Sequence, residues 1–196
     1  MNTKHNQIDK DLPVVEPVLD TWGGKENAGN WGLDGKFEWE DFSIEKINAW
    51  YADSLIKTLE AFTYLARIWE VVLVNDGTSR GDIGGIFKLE SYDSYEKYIE
   101  NILKRIREHP VPIYEIWLKV DMFVYVKTVI SPETNRFWIR DLGKFCISVD
   151  QEDEDSYLYL DIENTLFRPM DYRFDKNNTE LFNLNQPLLE EALKNW

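Results

Sequence analysis

The chain has 196 residues, 43% of them hydrophobic and 14% aromatic, which suits one well-cored domain and excludes a disordered chain. Its 36 acidic and 22 basic residues give a formal net charge of -14, which disfavours binding to nucleic acid phosphates and to anionic membranes. We therefore expect a single globular domain over residues 1–196.

Cysteine usage and the start of the chain indicate the compartment. The one cysteine, Cys146, lies inside a predicted strand and has no second cysteine with which to form an internal disulfide. Residues 1–12 are polar and lack the apolar run of a secretion signal, and no other stretch is long and apolar enough to span a bilayer. We expect a cytoplasmic protein with a mobile N-terminal tail at about residues 1–12.

A long strand is predicted over residues 114–126. Its even positions from Ile116 to Val126 are all apolar, whereas the odd positions include Glu115, Lys119 and Asp121. This period of two is typical of a strand with one face in a core, and its phase does not slip at Asp121. We therefore predict one strand here rather than a hairpin.

Three more strands are predicted after it, at residues 136–141, 144–149 and 157–162. They are separated by the Leu142-Gly143 pair and by the acidic run at residues 150–155, and turn-forming residues at 131–135 precede the first of them. The pattern predicts an antiparallel sheet of four or more strands between about residues 113 and 163, which needs a covering layer on its apolar face.

Two main helices are predicted to supply that layer, giving an α+β fold. The first follows the N-cap residue Ser43 and spans about residues 44–70, with apolar residues at spacings of three and four. Residues 71–74 are valine-rich and fit either the helix end or a short strand. The second helix spans about residues 93–108, with acidic residues at its start and basic residues at its end. The apolar stripe of the first helix suits packing on its own sheet better than a coiled-coil seam, because charged flanks are not sustained over many heptads.

A Trp-rich, Gly-rich segment precedes the first helix. Residues 31–39 are predicted to form a small hairpin with its turn at Asp34-Gly35. Trp22, Trp31 and Trp39 fit either an exposed platform for a sugar or protein partner, or packing anchors. Packing is favoured, because a Gly-rich segment gains its order from large side chains laid over a neighbouring layer.

The C-terminal part shows a weaker pattern. Residues 167–185 are predicted to be irregular. A short terminal helix is predicted at residues 188–193, after Pro187.

Few residues of the chain suggest catalysis. With only two histidines, His5 and His109, the sequence argues against a His-based triad or a His-rich metal site. Carboxylate pairs such as Glu38 with Glu40 could support glycoside chemistry, but spacing does not select one pair among 36 acids. We expect a protein that is not an enzyme and that needs no cofactor or metal ion.

The acidic run at residues 150–155 is the strongest candidate for recognition. It places five carboxylates in six positions between two predicted strands, and it lacks the glycine and ligand order of a calcium loop. The run is either a solvated turn or an element that attracts a basic protein surface. The candidate partner-binding residues are Asp150, Glu152, Asp153, Glu154, Asp155, Trp31 and Trp39.

A strongly acidic chain without recognisable catalytic machinery resembles, in overall character, the immunity proteins with which bacteria neutralise toxins. The resemblance lies in composition and charge over the whole chain and includes no motif, so no functional residue is transferred by it. It implies a non-enzymatic inhibitor whose partner is a basic toxin domain, such as a nuclease. The alternative is a carbohydrate-binding or carbohydrate-active protein that uses the Trp-rich segment 22–39 and a carboxylate pair.

Overall fold

The described residues form a large, mainly antiparallel sheet, a two-stranded ribbon and three α-helices. The structure, a computed structural model, describes residues 14–15, 29–41, 43–75, 83–91, 94–127, 133–150, 154–162, 164–171 and 176–196. The predicted mobile tail at residues 1–12 lies outside these ranges.

The α+β class predicted from the sequence is confirmed. The strands are β1 (Val14–Val15), β2 (Gly29–Asp34), β3 (Ala66–Val74), β4 (Ile83–Lys88), β5 (Glu115–Val126), β6 (Asn135–Asp150), β7 (Asp155–Ile162), β8 (Met170–Asp171) and β9 (Lys176–Asn177). The helices are α1 (Ile44–Ala61), α2 (Tyr95–Arg107) and α3 (Thr179–Asn195). Two 3₁₀ turns, Trp39–Asp41 and Thr165–Phe167, complete the described elements.

The main sheet has the strand order β2-β7-β6-β5-β3-β4, with every neighbouring pair antiparallel. The short β1 pairs in parallel with β6 beside Trp138 and Ile139. Strands β8 and β9 form a separate two-stranded ribbon. The sheet is therefore larger than the four consecutive strands that alternation alone predicts.

Strand β6 corrects the prediction of two strands at 136–141 and 144–149. Leu142 and Gly143, expected to form a loop, lie inside one continuous strand. The pairing with β5 shifts there, because Val120 pairs with Gly143 while Met122 pairs with Ile139. The extra residues form a β-bulge, a local bend that keeps a strand paired on both sides of it.

The buried carboxylate of Asp121 supports this bulge from β5. Asp141 has φ of 54°, a left-handed conformation uncommon in residues other than glycine. Its backbone N–H donates to Asp121 Oδ1 at 3.2 Å, and the guanidinium groups of Arg67 and Arg140 lie 3.8 and 3.6 Å from Asp121 Oδ2. The Asp121 side chain, on the neighbouring strand, therefore stabilises the left-handed conformation of Asp141 within β6.

Helix α1 begins as predicted and ends earlier than predicted. The Ser43 side chain accepts a hydrogen bond from the Lys46 backbone N–H, as expected of an N-cap. The helix was expected to reach about residue 70, but it stops at Ala61. Residues 66–74 form strand β3, so residues 71–74, which fitted either a helix end or a strand, are part of a strand. Pairing with β5, such as Ala66 with Met122, overrides the helical spacing of the apolar residues.

The prediction of a small hairpin at residues 31–39 is wrong. Residues 29–34 pair with β7 instead, and Trp39 belongs to a 3₁₀ turn. A Cβ added at Gly35 would lie 2.7 Å from the Ser156 backbone oxygen, so this glycine allows the chain to approach β7 closely.

The C-terminal helix is longer than the predicted segment 188–193. Helix α3 already begins at Thr179, inside the stretch expected to be irregular. The amide of Asn185, which is fully buried, donates to the Tyr125 carbonyl at 2.9 Å and accepts from the Tyr125 N–H at 2.8 Å. This tertiary contact with β5 fixes a segment whose local pattern is weak.

The sheet has two faces of different character. On the covered face, the helices pack over the even positions of β5, from Ile116 to Val126, all at most 1% exposed. We call the other side, which bears Trp117 and Lys119, the open face. No described helix lies on it.

Candidate protein-binding surface

The acidic run forms the connection between β6 and β7, as the sequence predicts. Asp150 ends β6, Asp155 begins β7, and the two are directly paired across the strands. Glu152 and Asp153 lie outside the described residues. We call Asp150, Glu154 and Asp155 the acidic tip.

The tip contains local features that work against stability. Like charges directly opposite each other on neighbouring strands are destabilising, and Asp150 and Asp155 occupy such positions. Glu154 is exposed and has φ of 50°, again left-handed. The Asp155 carboxylate accepts from the Ser156 N–H at 2.8 Å, which holds its side chain beside the turn.

The side chain of Tyr114 lies beside the tip. The Tyr114 hydroxyl lies 3.5 Å from Asp150 Oδ2, and burial together with this carboxylate raises the pKa of Tyr114. The Tyr114 backbone oxygen accepts from the hydroxyl of Tyr51, a fully buried residue of α1. A core residue therefore anchors the backbone just before β5, beside one side of the tip.

Trp31 and Trp39 pack against the core rather than standing free. Both are half-buried, and Trp31 pairs with Leu160, toward the end of β7 away from the tip. The Trp39 ring meets Phe37 edge-on with centroids 4.8 Å apart. Of the two interpretations of the Trp-rich segment, this geometry supports the packing anchor. The third tryptophan, Trp22, lies outside the described residues.

The open face carries a second set of polar residues that the sequence did not indicate. Strand pairing aligns Lys144 with Lys119, Lys119 with Glu70, and Glu70 with Lys88 across four strands. Glu70, only 5% exposed, bridges two of these lysines at 2.8 and 3.0 Å. Each of the four strands supplies one of these residues, so only the register reveals the row.

Aromatic rings support the cations of the open face. Lys144 Nζ lies 4.6 Å from the centre of the Trp117 ring, and Lys119 Nζ lies 5.4 Å from that of Trp69. Such cation–π contacts hold charged side chains over a flat apolar surface. The Trp117 indole N–H donates to Glu115 Oε2 at 2.8 Å, so the same ring also orients an acid.

Cys146 lies within this face and is fully buried beneath its neighbours. Burial raises the pKa of its thiol to about 12, which keeps it protonated and poorly nucleophilic. This environment suits a small buried hydrophobic side chain rather than a nucleophile.

Metal-binding clusters and membrane-spanning helices are absent from the described parts of the chain. In those parts of the chain, no group of three or more His, Cys, Asp or Glu side chains is placed to hold a metal ion. None of the described helices is both long and apolar enough to cross a membrane. Comparisons with protein-family models, with curated proteins and with solved structures gave no match.

Proposed function

We propose that the protein is a non-enzymatic inhibitor of the immunity type, which binds and neutralises a basic toxin domain through the acidic tip. The observation that carries this proposal is the direct pairing of Asp150 with Asp155 at the end of a strand pair. The pairing concentrates negative charge where β6 and β7 meet the acidic run, although it lowers local stability. Locally unfavourable features often mark sites of function. Recognition of a cationic surface would account for the two facing carboxylates.

Charge gives the proposal its physical mechanism. A chain with a formal net charge of -14 attracts a basic partner at long range, and a clustered acidic turn orients the encounter. A basic nuclease would meet these carboxylates with the surface that otherwise binds phosphate. The inhibitor would then act by occupying that surface, without any chemistry of its own.

The carbohydrate alternative has less support from the geometry. It requires aromatic faces open to a sugar, whereas Trp31 and Trp39 are half-buried against the core. Glu38 and Glu40 are both exposed. Exposed carboxylates lack the apolar setting in which the catalytic acid of a glycosidase lies.

The test is binding kinetics with a candidate basic toxin domain, identified by pull-down from the source cell. The tip variant neutralises all five carboxylates of the acidic run, which are the acidic tip together with Glu152 and Asp153. Each Asp is replaced by Asn and each Glu by Gln. Steering predicts slower association and a smaller salt dependence, with dissociation changed less. If the carboxylates pair directly with the partner, dissociation accelerates instead, with about 2 kcal/mol or more lost for a key pair.

A matched control separates the tip from net charge. It neutralises five exposed acids of the helices and their ends: Asp53, Glu60, Glu100, Glu108 and Glu190. The proposal requires that this control binds nearly as the wild type does. Equal rates for the wild type and the tip variant, or equal losses in the tip variant and the control, would contradict it.

A further inference from the structure

We propose that a cleft between α1, α3 and the start of β6 binds a free α-amino acid with an apolar side chain. Arg136 binds the carboxylate of this ligand, and Glu60 and Glu191 bind its ammonium group. The cleft lies at the opposite end of β6 from the acidic tip, so the inference does not depend on the proposed inhibitor function.

The cleft has the size of a site for a small molecule. Its volume is about 240 Å³, and the ends of α1 and α3, the turn before β3 and the first residues of β6 enclose it. Its apolar lining consists of Ala61, Leu65, Leu188 and Ala192. Sites for drug-sized molecules usually measure about 300–1,000 Å³, whereas a cavity of about 150 Å³ holds benzene. The volume therefore suits a ligand of intermediate size.

Arg136 is a cation of the cleft that has no counterion among the described residues. None of the described carboxylates forms an ion pair with it. Its Nε atom is buried and has no hydrogen-bond partner there. Burial lowers the pKa of the guanidinium, as expected where no anion stabilises the charge. A half-buried guanidinium with an unused donor is suited to bind a carboxylate.

The guanidinium is also held in position before any ligand arrives. Its Nη2 donates to the backbone oxygens of Tyr64 and Phe123 at 3.3 and 2.8 Å. The guanidinium carbon lies 4.2 Å from the centre of the Phe123 ring. A group that its own structure already orients loses little conformational freedom on binding.

Two carboxylates in the lining disfavour a simple anion as the ligand. Glu60, in the last turn of α1, and Glu191, near the end of α3, both line the cleft and are exposed. They repel phosphate or sulfate and attract a cation. The C-terminal ends of helices favour positive charge as well, and the last turn of α1 contains no basic residue.

A free α-amino acid meets both requirements at once. Its carboxylate and its ammonium group are attached to the same carbon, whereas each end of a peptide carries only one of the two charges. An apolar side chain matches the remaining surface, which Leu65 and Leu188 provide. The combination of one unpaired guanidinium, two carboxylates and an apolar wall therefore selects this class of ligand.

The test is NMR titration of the full chain with leucine and with two derivatives that each lack one charge. We expect leucine to bind with a dissociation constant of about 1 mM or lower. Leucinamide, without the carboxylate, and N-acetyl-leucine, without the ammonium group, should each bind about tenfold more weakly. Valine, methionine and phenylalanine complete the series. Absence of binding by all four amino acids at about 20 mM would overturn the proposal.

N-acetyl-leucine also distinguishes a free amino acid from a peptide. It resembles the C-terminal residue of a peptide, because its nitrogen is acylated and uncharged. If it binds as tightly as leucine, the cleft accepts the end of a peptide chain, and the proposal of an amino acid ligand is wrong.

Variants assign each charge of the ligand to its side chain. Arg136→Lys keeps a cation but not the planar guanidinium, so it should weaken leucine binding about tenfold and leave leucinamide binding unchanged. The double variant Glu60→Gln/Glu191→Gln should weaken leucine binding about fivefold without weakening N-acetyl-leucine binding.

A matched control tests whether net charge explains the effect. Asp53→Asn/Glu190→Gln removes one exposed acid from each of the same two helices, and neither residue lines the cleft. This control should bind leucine as the wild type does. Circular dichroism checks the fold of Arg136→Lys, and the exposed glutamate positions test the site independently of it. Wild-type affinity in the glutamate double variant, or an equal loss in the control, would contradict the assignment.

Discussion

On its covered face, β5 presents Ile116, Leu118 and Val124, none of which reaches solvent. On its open face, the same strand presents Trp117 and Lys119, both half-buried, and Lys119 lies in the row of charged residues that crosses four strands. Because side chains alternate along a strand, one segment supplies both surfaces. The covered face maintains the fold through its apolar core, whereas the exposed charges of the acidic tip are not required by the packing of that core.

The largest difference between the two faces is expected when a carboxylate is introduced on each of them. Val124→Asp should lose about 4 kcal/mol or more of unfolding free energy, because it buries a charge without a partner. Lys144→Asp, on the neighbouring strand of the open face, should change it by about 1 kcal/mol or less. Urea denaturation measures both. Wild-type stability of Val124→Asp would mean that the faces are assigned the wrong way round.

Asp121 is the exception on the open face, since its carboxylate is fully buried. Asp121→Ala removes the acceptor for the Asp141 N–H and the anion beside Arg67 and Arg140. We expect a loss of about 3 kcal/mol, as is usual when one partner of a buried ion pair is removed. Asp121→Asn keeps an acceptor oxygen and should lose less. Equal unfolding midpoints for the wild type and Asp121→Ala would contradict the role given to this residue in the bulge.

A smaller effect is expected from pH, through His109 at the end of α2. Its Nε2 lies 2.7 Å from Asn75 Oδ1, and burial lowers the pKa of the imidazole below its ordinary 6.5. The unfolded chain therefore binds this proton more readily, so stability should fall as the pH drops below 6.5 toward the lowered pKa. Urea unfolding at about pH 7.5 and pH 5, compared with His109→Gln, isolates the contribution. An identical pH dependence in the variant would exclude it.

The smallest expected change is at the tip. Asp155→Asn removes one of two facing negative charges and should raise the unfolding free energy by about 0.2–1 kcal/mol. Asp53→Asn, which removes a charge from an exposed position of α1, is the matched control. Thermal unfolding of Asp155→Asn and Asp53→Asn, each compared with the wild type, measures the two changes in stability. A loss of stability in Asp155→Asn alone would show that this carboxylate stabilises the turn and would remove the main argument for a binding role.

Local patterns predicted the parts of the fold that depend on local physics. The alternation of β5 and the N-cap of α1 at Ser43 were both readable, because each involves neighbouring residues only. The end of α1 was misplaced because Ala66 and Trp69 continue its apolar spacing, while pairing with β5 decides the outcome. The continuity of β6 was missed because a carboxylate from another strand supports the bulge.

Of the two candidate surfaces, the acidic tip could be predicted from the sequence and the charged row of the open face could not. The acidic tip is contiguous in sequence, so composition alone identified it. The charged row of the open face combines single residues from four strands, such as Lys88 and Lys144, and exists only once the register is known. No pattern within one strand carries that information.

The proposed function is tested most directly with a candidate basic toxin domain, identified by pull-down from the source cell, whose activity is titrated with this protein. We predict that activity falls linearly and is lost at one equivalent of the wild type, while the tip variant requires an excess and the helical control behaves as the wild type does. Full toxin activity in the presence of a large excess of the wild-type protein would contradict the account.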